Sequence, residues 1–113
     1  MVYMLVNIGI SFLIGIIFIL SALLLKKYPP TDINAAFGYR TRRSMKNIEL
    51  WNAGNKYSAE IMRQHGFLMI FIGSIISLTF RYPHTIIALI ALMLLLIMIM
   101  FLKVEMKLKV MEK

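Results

Sequence analysis

"INAAFGYRTRRSMKNIELWNAGNKY", residues 33–57, interrupts a sequence that is otherwise dominated by long apolar segments. Within it lie one Trp, two Tyr, three Arg, four Asn and two Gly. Neither a solvent loop nor a soluble core has that make-up. An asparagine next to an apolar interface gives up its hydration, so it persists there only where hydrogen bonds replace the water. What this polar stretch does therefore depends on the segments around it.

Those segments belong in a bilayer. Of 113 residues, 60% are hydrophobic and 16% charged, and the mean hydropathy is +0.79. A soluble domain of this size could not hide so much apolar surface. Cysteine is absent, which excludes disulfides and thiolate metal sites. The net charge of +8 comes from basic residues that flank apolar spans, a placement that reads as membrane orientation and contact with anionic headgroups. Direct nucleic-acid binding is not expected.

Three spans are predicted, at residues 2–25, 61–80 and 85–102, with a connector at 26–60. The first has no charged side chain; 25 helical residues rise about 37 Å, enough to cross a hydrocarbon core of about 30 Å. It lacks the basic leader and the short apolar core of a cleaved signal peptide, so it reads as an anchor. The second is short unless its helix starts near Ile61, with Arg63, Gln64 and His65 at headgroup level. Residues 81–84 make a tight turn around Pro83. Segment 26–66 holds eight of the thirteen Lys and Arg, the 81–84 turn one and the tail after Leu102 four. The positive-inside bias then puts connector and tail in the cytoplasm and the N-terminus outside. Tyr3 and Tyr82 fall at the outer interface and Tyr28 at the inner one.

After Pro29-Pro30 the first helix cannot continue. Residues 31–38 suit a short helical turn stopped by Gly38, and Ser44 is a suitable N-cap for the helix that follows. From Met45 to Arg63, Glu49, Lys56, Glu60 and Arg63 gather on one stripe, opposite Ile48, Leu50, Trp51, Tyr57, Ile61 and Met62. This is an amphipathic cytoplasmic helix that continues into the second span. Gly54 and Ser58, four apart on the apolar side, would let another helix approach closely, whereas Ala59 falls outside that arc. Two arrangements fit the pattern. In one the helix lies on the membrane surface, anchored by Trp51. In the other it packs against the ends of the spans, and Asn34, Tyr39, Arg40, Asn52 and Asn55 form a buried polar cluster around the Arg40 guanidinium, with its five donors.

The same residues resemble the signature of SdpI-family membrane proteins: an Asn a few residues before Gly-Tyr-Arg-Thr, then a Ser, then a Trp followed by Ala/Gly and Asn. The matching positions are Asn34, Gly38, Tyr39, Arg40, Thr41, Ser44, Trp51, Asn52 and Asn55. The resemblance extends through all three spans and points to a short, single-module member; longer members carry further spans ahead of it. It implies an immunity protein that protects a bacterium from a secreted, membrane-active toxin peptide. It further implies a partner in some members, a cytoplasmic transcriptional repressor captured at the membrane, and these nine residues as a toxin-binding or structural cluster.

Catalysis has little support. His65 and His84 stand at opposite ends of the second span and read as interfacial side chains, and the acids show no metal-ligand spacing. No cofactor or metal is expected, and no enzyme activity. A proton-coupled pump would carry an ionisable group deep in a span, and none is there. The expected architecture is an all-α integral membrane domain over residues 1–113, working against the lipid bilayer and a toxin peptide, with homo-oligomers open. The alternative is a small transporter-like or regulatory subunit acting through a partner protein.

Overall fold

The structure is a computed structural model that describes residues 2–81 and 83–112. It contains three helices, α1 (Val2–Lys27), α2 (Ile48–Thr79) and α3 (His84–Met111), and no strand among the described residues. Each helix is long and apolar enough to cross a membrane. Large apolar side chains such as Leu5, Leu13, Ile17, Phe71, Ile87 and Leu94 point outward. In water that surface would be prohibitive; against lipid tails it costs nothing. Tyr82, expected with Tyr3 at the outer interface, lies outside the described residues.

Each helix boundary has a local cause. Lys26 and Lys27 close the last turn of α1, where positive charge suits the carbonyl end of the helix dipole. Pro29 and Pro30 follow. The cap of α2 is Asn47, whose side chain accepts from Leu50 N at 2.9 Å, and Glu49 stands in the first turn. Ser44, the expected cap, is occupied within the connector. From Ile48 to Thr79, α2 is one uninterrupted helix, so the polar first half and the apolar second half share an axis. The third helix runs nine residues past its expected end at 102, because Val104 and Leu108, one turn apart, are both fully buried. Residues 31–38 form bends rather than the expected helical turn. There the Asn34 side chain accepts from the Ala36 and Phe37 amides, at 2.9 and 2.8 Å, and donates to Asp32 O. An Asx turn of this kind competes with helix formation.

Between α1 and α2 the backbones meet. A Cβ placed on Gly15 would lie 2.6 Å from Gly66 O, and one on Gly66 would lie 2.7 Å from Gly15 O. Farther along, Gly73 leaves room for Ser11, whose hydroxyl would sit 2.6 Å from a Cβ at 73 and donates to Asn7 O. Small residues therefore set the crossing, but at Gly15, Gly66 and Gly73. At Gly54, expected to face a helix, an added Cβ would lie 3.0 Å from Tyr39 Cδ1 and 3.3 Å from Ser44 Cβ of the connector, and 3.5 Å from Leu108 Cδ1 of α3. Ser58 beside it is buried and turns its hydroxyl back to Asn55 O. Ala59, placed by the sequence pattern outside the packed arc, is buried as well.

Helix α3 packs on α2 and scarcely touches α1. Met69, Leu89 and Leu96 form one apolar cluster, extended by Ile10, Ile14 and Phe18 of α1. A second cluster joins Leu50, Met100, Val104 and Leu108 to Tyr39 of the connector. His65, expected at headgroup level, is covered by protein at 4% exposure.

If the Gly15–Gly66 contact sets the helix pair, Gly15→Ala and Gly66→Ala should each destabilise the protein, since overfilling a packed site typically costs about 1–3 kcal/mol. A Cβ on Gly9 meets nothing within 4 Å, so Gly9→Ala should be neutral or slightly stabilising. Thermal unfolding of the three variants in one detergent checks this.

Candidate functional site

Residues 28–47 contain no helix, yet much of this connector is held by named side chains. Trp51, wholly buried on α2, donates from Nε1 to Pro30 O at 2.9 Å and anchors the chain just after α1. One turn later Asn55 Oδ1 accepts from Tyr39 N at 2.7 Å. Between these anchors the chain passes Gly38 at φ +110°, a conformation that L side chains resist. Space makes the same demand, because a Cβ at 38 would lie 2.7 Å from Asn55 Oδ1 and 2.9 Å from Pro30 Cγ. Asn55 is 3% exposed, and its amide nitrogen has no hydrogen-bond partner among the described residues.

From Tyr39 onward the connector folds on itself and then reaches α3. The Thr41 amide donates to Ser44 Oγ at 2.8 Å and the Ser44 amide to Thr41 Oγ1 at 3.1 Å, a reciprocal pair; Ser44 Oγ lies 3.0 Å from Tyr39 O. Glu105 of α3 collects the outward-facing groups. Tyr39 OH donates to its Oε2 at 2.7 Å and Thr41 Oγ1 donates to the same oxygen at 3.0 Å, while Arg43 Nη1 lies 3.4 Å from Oε1. Two turns on, Glu112 takes Arg43 Nε at 2.7 Å and the Lys46 ammonium. Two carboxylates seven residues apart share one face of a helix, so α3 offers both to the connector at once. The Tyr39 ring packs on Phe101 with centroids 5.5 Å apart. We call this assembly the clasp.

The electrostatics follow from the contacts. Burial pushes the Tyr39 hydroxyl far above its ordinary value, and donation to Glu105 pushes it further, so it remains a donor. The hydrogen bond from Lys46, then that from Arg43, holds the Glu112 carboxyl below the ordinary carboxylate range. Arg43 is raised chiefly by its hydrogen bond to Glu112.

Six of the nine signature residues meet here: Gly38, Tyr39, Thr41, Ser44, Trp51 and Asn55. Three do not. Asn34 makes its local turn, Asn52 is exposed on α2, and Arg40 is exposed and donates to Ala35 O. The expected hub at Arg40 is therefore replaced by an acceptor, Glu105, with Arg43 as the charged donor that reaches α3. Glu105 and Glu112 are not among the residues singled out by the sequence pattern. Their signal was present: they are the only acids after Leu102, seven apart, in a run otherwise basic and apolar. No group of three or more His, Asp or Glu arranged to hold a metal occurs among the described residues.

A family model described as the SdpI/YfhL protein family matches residues 31–103. The uncharacterized protein YfhL of Bacillus subtilis (strain 168) is 46% identical over 55 residues, which is 49% of this chain and 50% of that protein. The match thus spans about half the length of the curated relative. No solved structure matches. The family match takes in the connector, α2 and most of α3, and ends short of both clasp carboxylates.

Removing Glu105 leaves the Tyr39 and Thr41 hydroxyls without their acceptor, so Glu105→Ala should lower stability by about 1–3 kcal/mol, with Arg43→Ala next and exposed Arg40→Ala mild. Detergent melting curves rank the three. A pH series tests Glu112. Because its folded value is depressed, its contribution is present at neutral pH and is lost as pH falls through and below the ordinary carboxylate range. Glu112→Gln should flatten that acid limb and leave the alkaline side unchanged.

Proposed function

The chain belongs to the SdpI/YfhL protein family, and on that premise we propose that it is a membrane immunity protein that guards a bacterial cell against a secreted, membrane-active peptide. The observation that carries this reading is where the signature residues go. Six of them lock an otherwise irregular connector onto α2 and α3 at one end of three apolar helices. None of them builds a catalytic group. A protein of this kind acts by holding or excluding something in the bilayer, and the family resemblance makes that a toxin peptide.

The connector and the extended end of α3 lie in the cytoplasm, with the N-terminus outside, because eight of thirteen Lys and Arg fall in segment 26–66 and one in the turn 81–84. This sidedness would also put the clasp where a cytoplasmic repressor could meet it, so a toxin that moved α3 would alter the face the repressor sees.

Survival with and without the gene, against a panel of sibling-killing peptides, tests the function. Protection from at least one peptide is expected, with Glu105→Ala protecting less at matched membrane abundance. Equal survival across the panel would sink the reading. Sidedness is tested in intact cells. The chain has no native cysteine, so Lys56→Cys should be shielded from an impermeant thiol reagent and His84→Cys should react.

A further inference from the structure

Beside the end of α1 and the first half of α2 is a cavity of about 450 Å³. It stands apart from the clasp, and Asn55 is the residue the two share. One wall is the last apolar turns of α1, with Leu23 at the lip and Lys26 at the end. The other is the α2 stripe of Lys56, Glu60 and Arg63, one to two turns apart on one face, over buried Ala59. Lys26, Lys56 and Arg63 have no ion pair among the described residues, whereas Arg43 and Lys46 on the clasp side are paired.

We propose that this cavity binds the headgroup of an anionic glycerophospholipid. Three unpaired cations over a single carboxylate favour a ligand of net negative charge. The groove grades from apolar to cationic within two turns of α1, and the adjacent Lys26 and Lys27 that end that helix mark the same boundary in the bilayer. A lipid spans that boundary with its acyl chains against Leu23 and its phosphate among the cations. The planar Arg63 fork suits two phosphate oxygens, and the lysines act as point charges. Glu60 accepts from a headgroup hydroxyl. The Asn55 amide nitrogen, 97% buried by its 3% exposure and without a partner, is a donor for an ester or glycerol oxygen. The volume lies within the range of small-ligand sites, and basic pockets between membrane helices are recognised sites for acidic headgroups. Free phosphate shares the headgroup chemistry but leaves the apolar wall uncovered. The inference needs only membrane residence and is independent of the immunity reading.

The experiment uses the full chain purified in a neutral detergent, with bound lipid read by native mass spectrometry and thermal shift. Phosphatidylglycerol should be retained about tenfold or more over phosphatidylcholine. Lys56→Gln/Arg63→Gln should lose that preference, while Lys103→Gln/Lys109→Gln, which removes equal charge elsewhere, should keep it. Equal retention of the two lipids, or equal loss in both double variants, would overturn the proposal in favour of diffuse surface charge. Displacement of phosphatidylglycerol by an equal concentration of inorganic phosphate would make it a free-anion site. Displacement by a short acidic peptide would make it a peptide site. Either also overturns the proposal. Both altered side chains are exposed, so helicity without added lipid should match the parent; Lys26→Gln on the opposite wall gives the same readout should the double variant fold poorly.

Discussion

Lipid tails are as apolar as leucine, so burial of apolar surface does not by itself draw α1 onto α2. What remains is contact, and the backbones come close at Gly15 and Gly66, where the carbonyl oxygen of each glycine stands within 2.7 Å of where a Cβ on the other would be. This fixes both the distance and the register of the pair. Gly73 against Ser11 maintains the approach toward one end, and toward the other the same line leads past buried Ala59 and Ala22. With α1 placed, its last turn sets the start of the connector, and Trp51 can reach Pro30 O only because that turn is where it is.

The connector then faces a problem that helices do not. Its amides and carbonyls have no ladder to complete, and part of it lies against buried surface. Side chains take over: Asn55 for the Tyr39 amide, Ser44 and Thr41 for each other, Asn34 for two amides of the exposed bend. These are short polar residues whose groups reach the backbone locally, which explains why an apolar protein concentrates them in one stretch. The remainder, Tyr39 OH, Thr41 Oγ1 and Arg43, finds its acceptors on α3, at Glu105 and Glu112. The charged tail of α3 is helical for the same reason: Val104 and Leu108 bury beside these carboxylates and carry the helix past the apolar span.

The parts legible in the sequence are those governed by local or compositional rules. Three apolar helices, the stop at Pro29-Pro30 and the continuity of the polar helix with the second span follow from hydropathy and proline. The pairing partners were harder. Arg40 has the donors a hub needs, and nothing local distinguishes it from Arg43; which arginine faces α3 depends on the path of a connector without regular structure. Gly54 and Ser58 have the spacing of a helix contact, but so do Ser11 and Gly15, and only the fold decides that α1 uses its own pair while Gly54 admits a tyrosine ring. Ser44 and Asn47 are both good caps, and Ser44 was unavailable because Thr41 and Tyr39 hold it. Glu105 lay 62 residues or more from the groups it binds, beyond the reach of any periodic pattern.

The helices are unequally held, and that gives the clasp its significance. α1 and α2 are packed together along much of their length, with a backbone approach at Gly15 and Gly66, while α3 scarcely touches α1 and meets α2 through side chains. Side-chain packing between apolar helices in lipid is readily exchanged for packing against acyl chains, whereas a carboxylate bonded to a buried tyrosine hydroxyl and to a threonine has no equivalent partner there. At the connector end, then, α3 is tied to the connector by Glu105 and Glu112 beside the buried Val104 and Leu108, while Trp51, Asn55 and the Thr41–Ser44 pair hold the rest of the connector to α2 and to itself. A shift of α3 along or around its axis would break these hydrogen bonds before it disturbed the α1–α2 pair. The order of the connector is thereby coupled to the position of one helix. A ligand able to tell two positions of α3 apart within the bilayer could change the surface that residues 28–47 present outside it, by no more than its difference in affinity for the two.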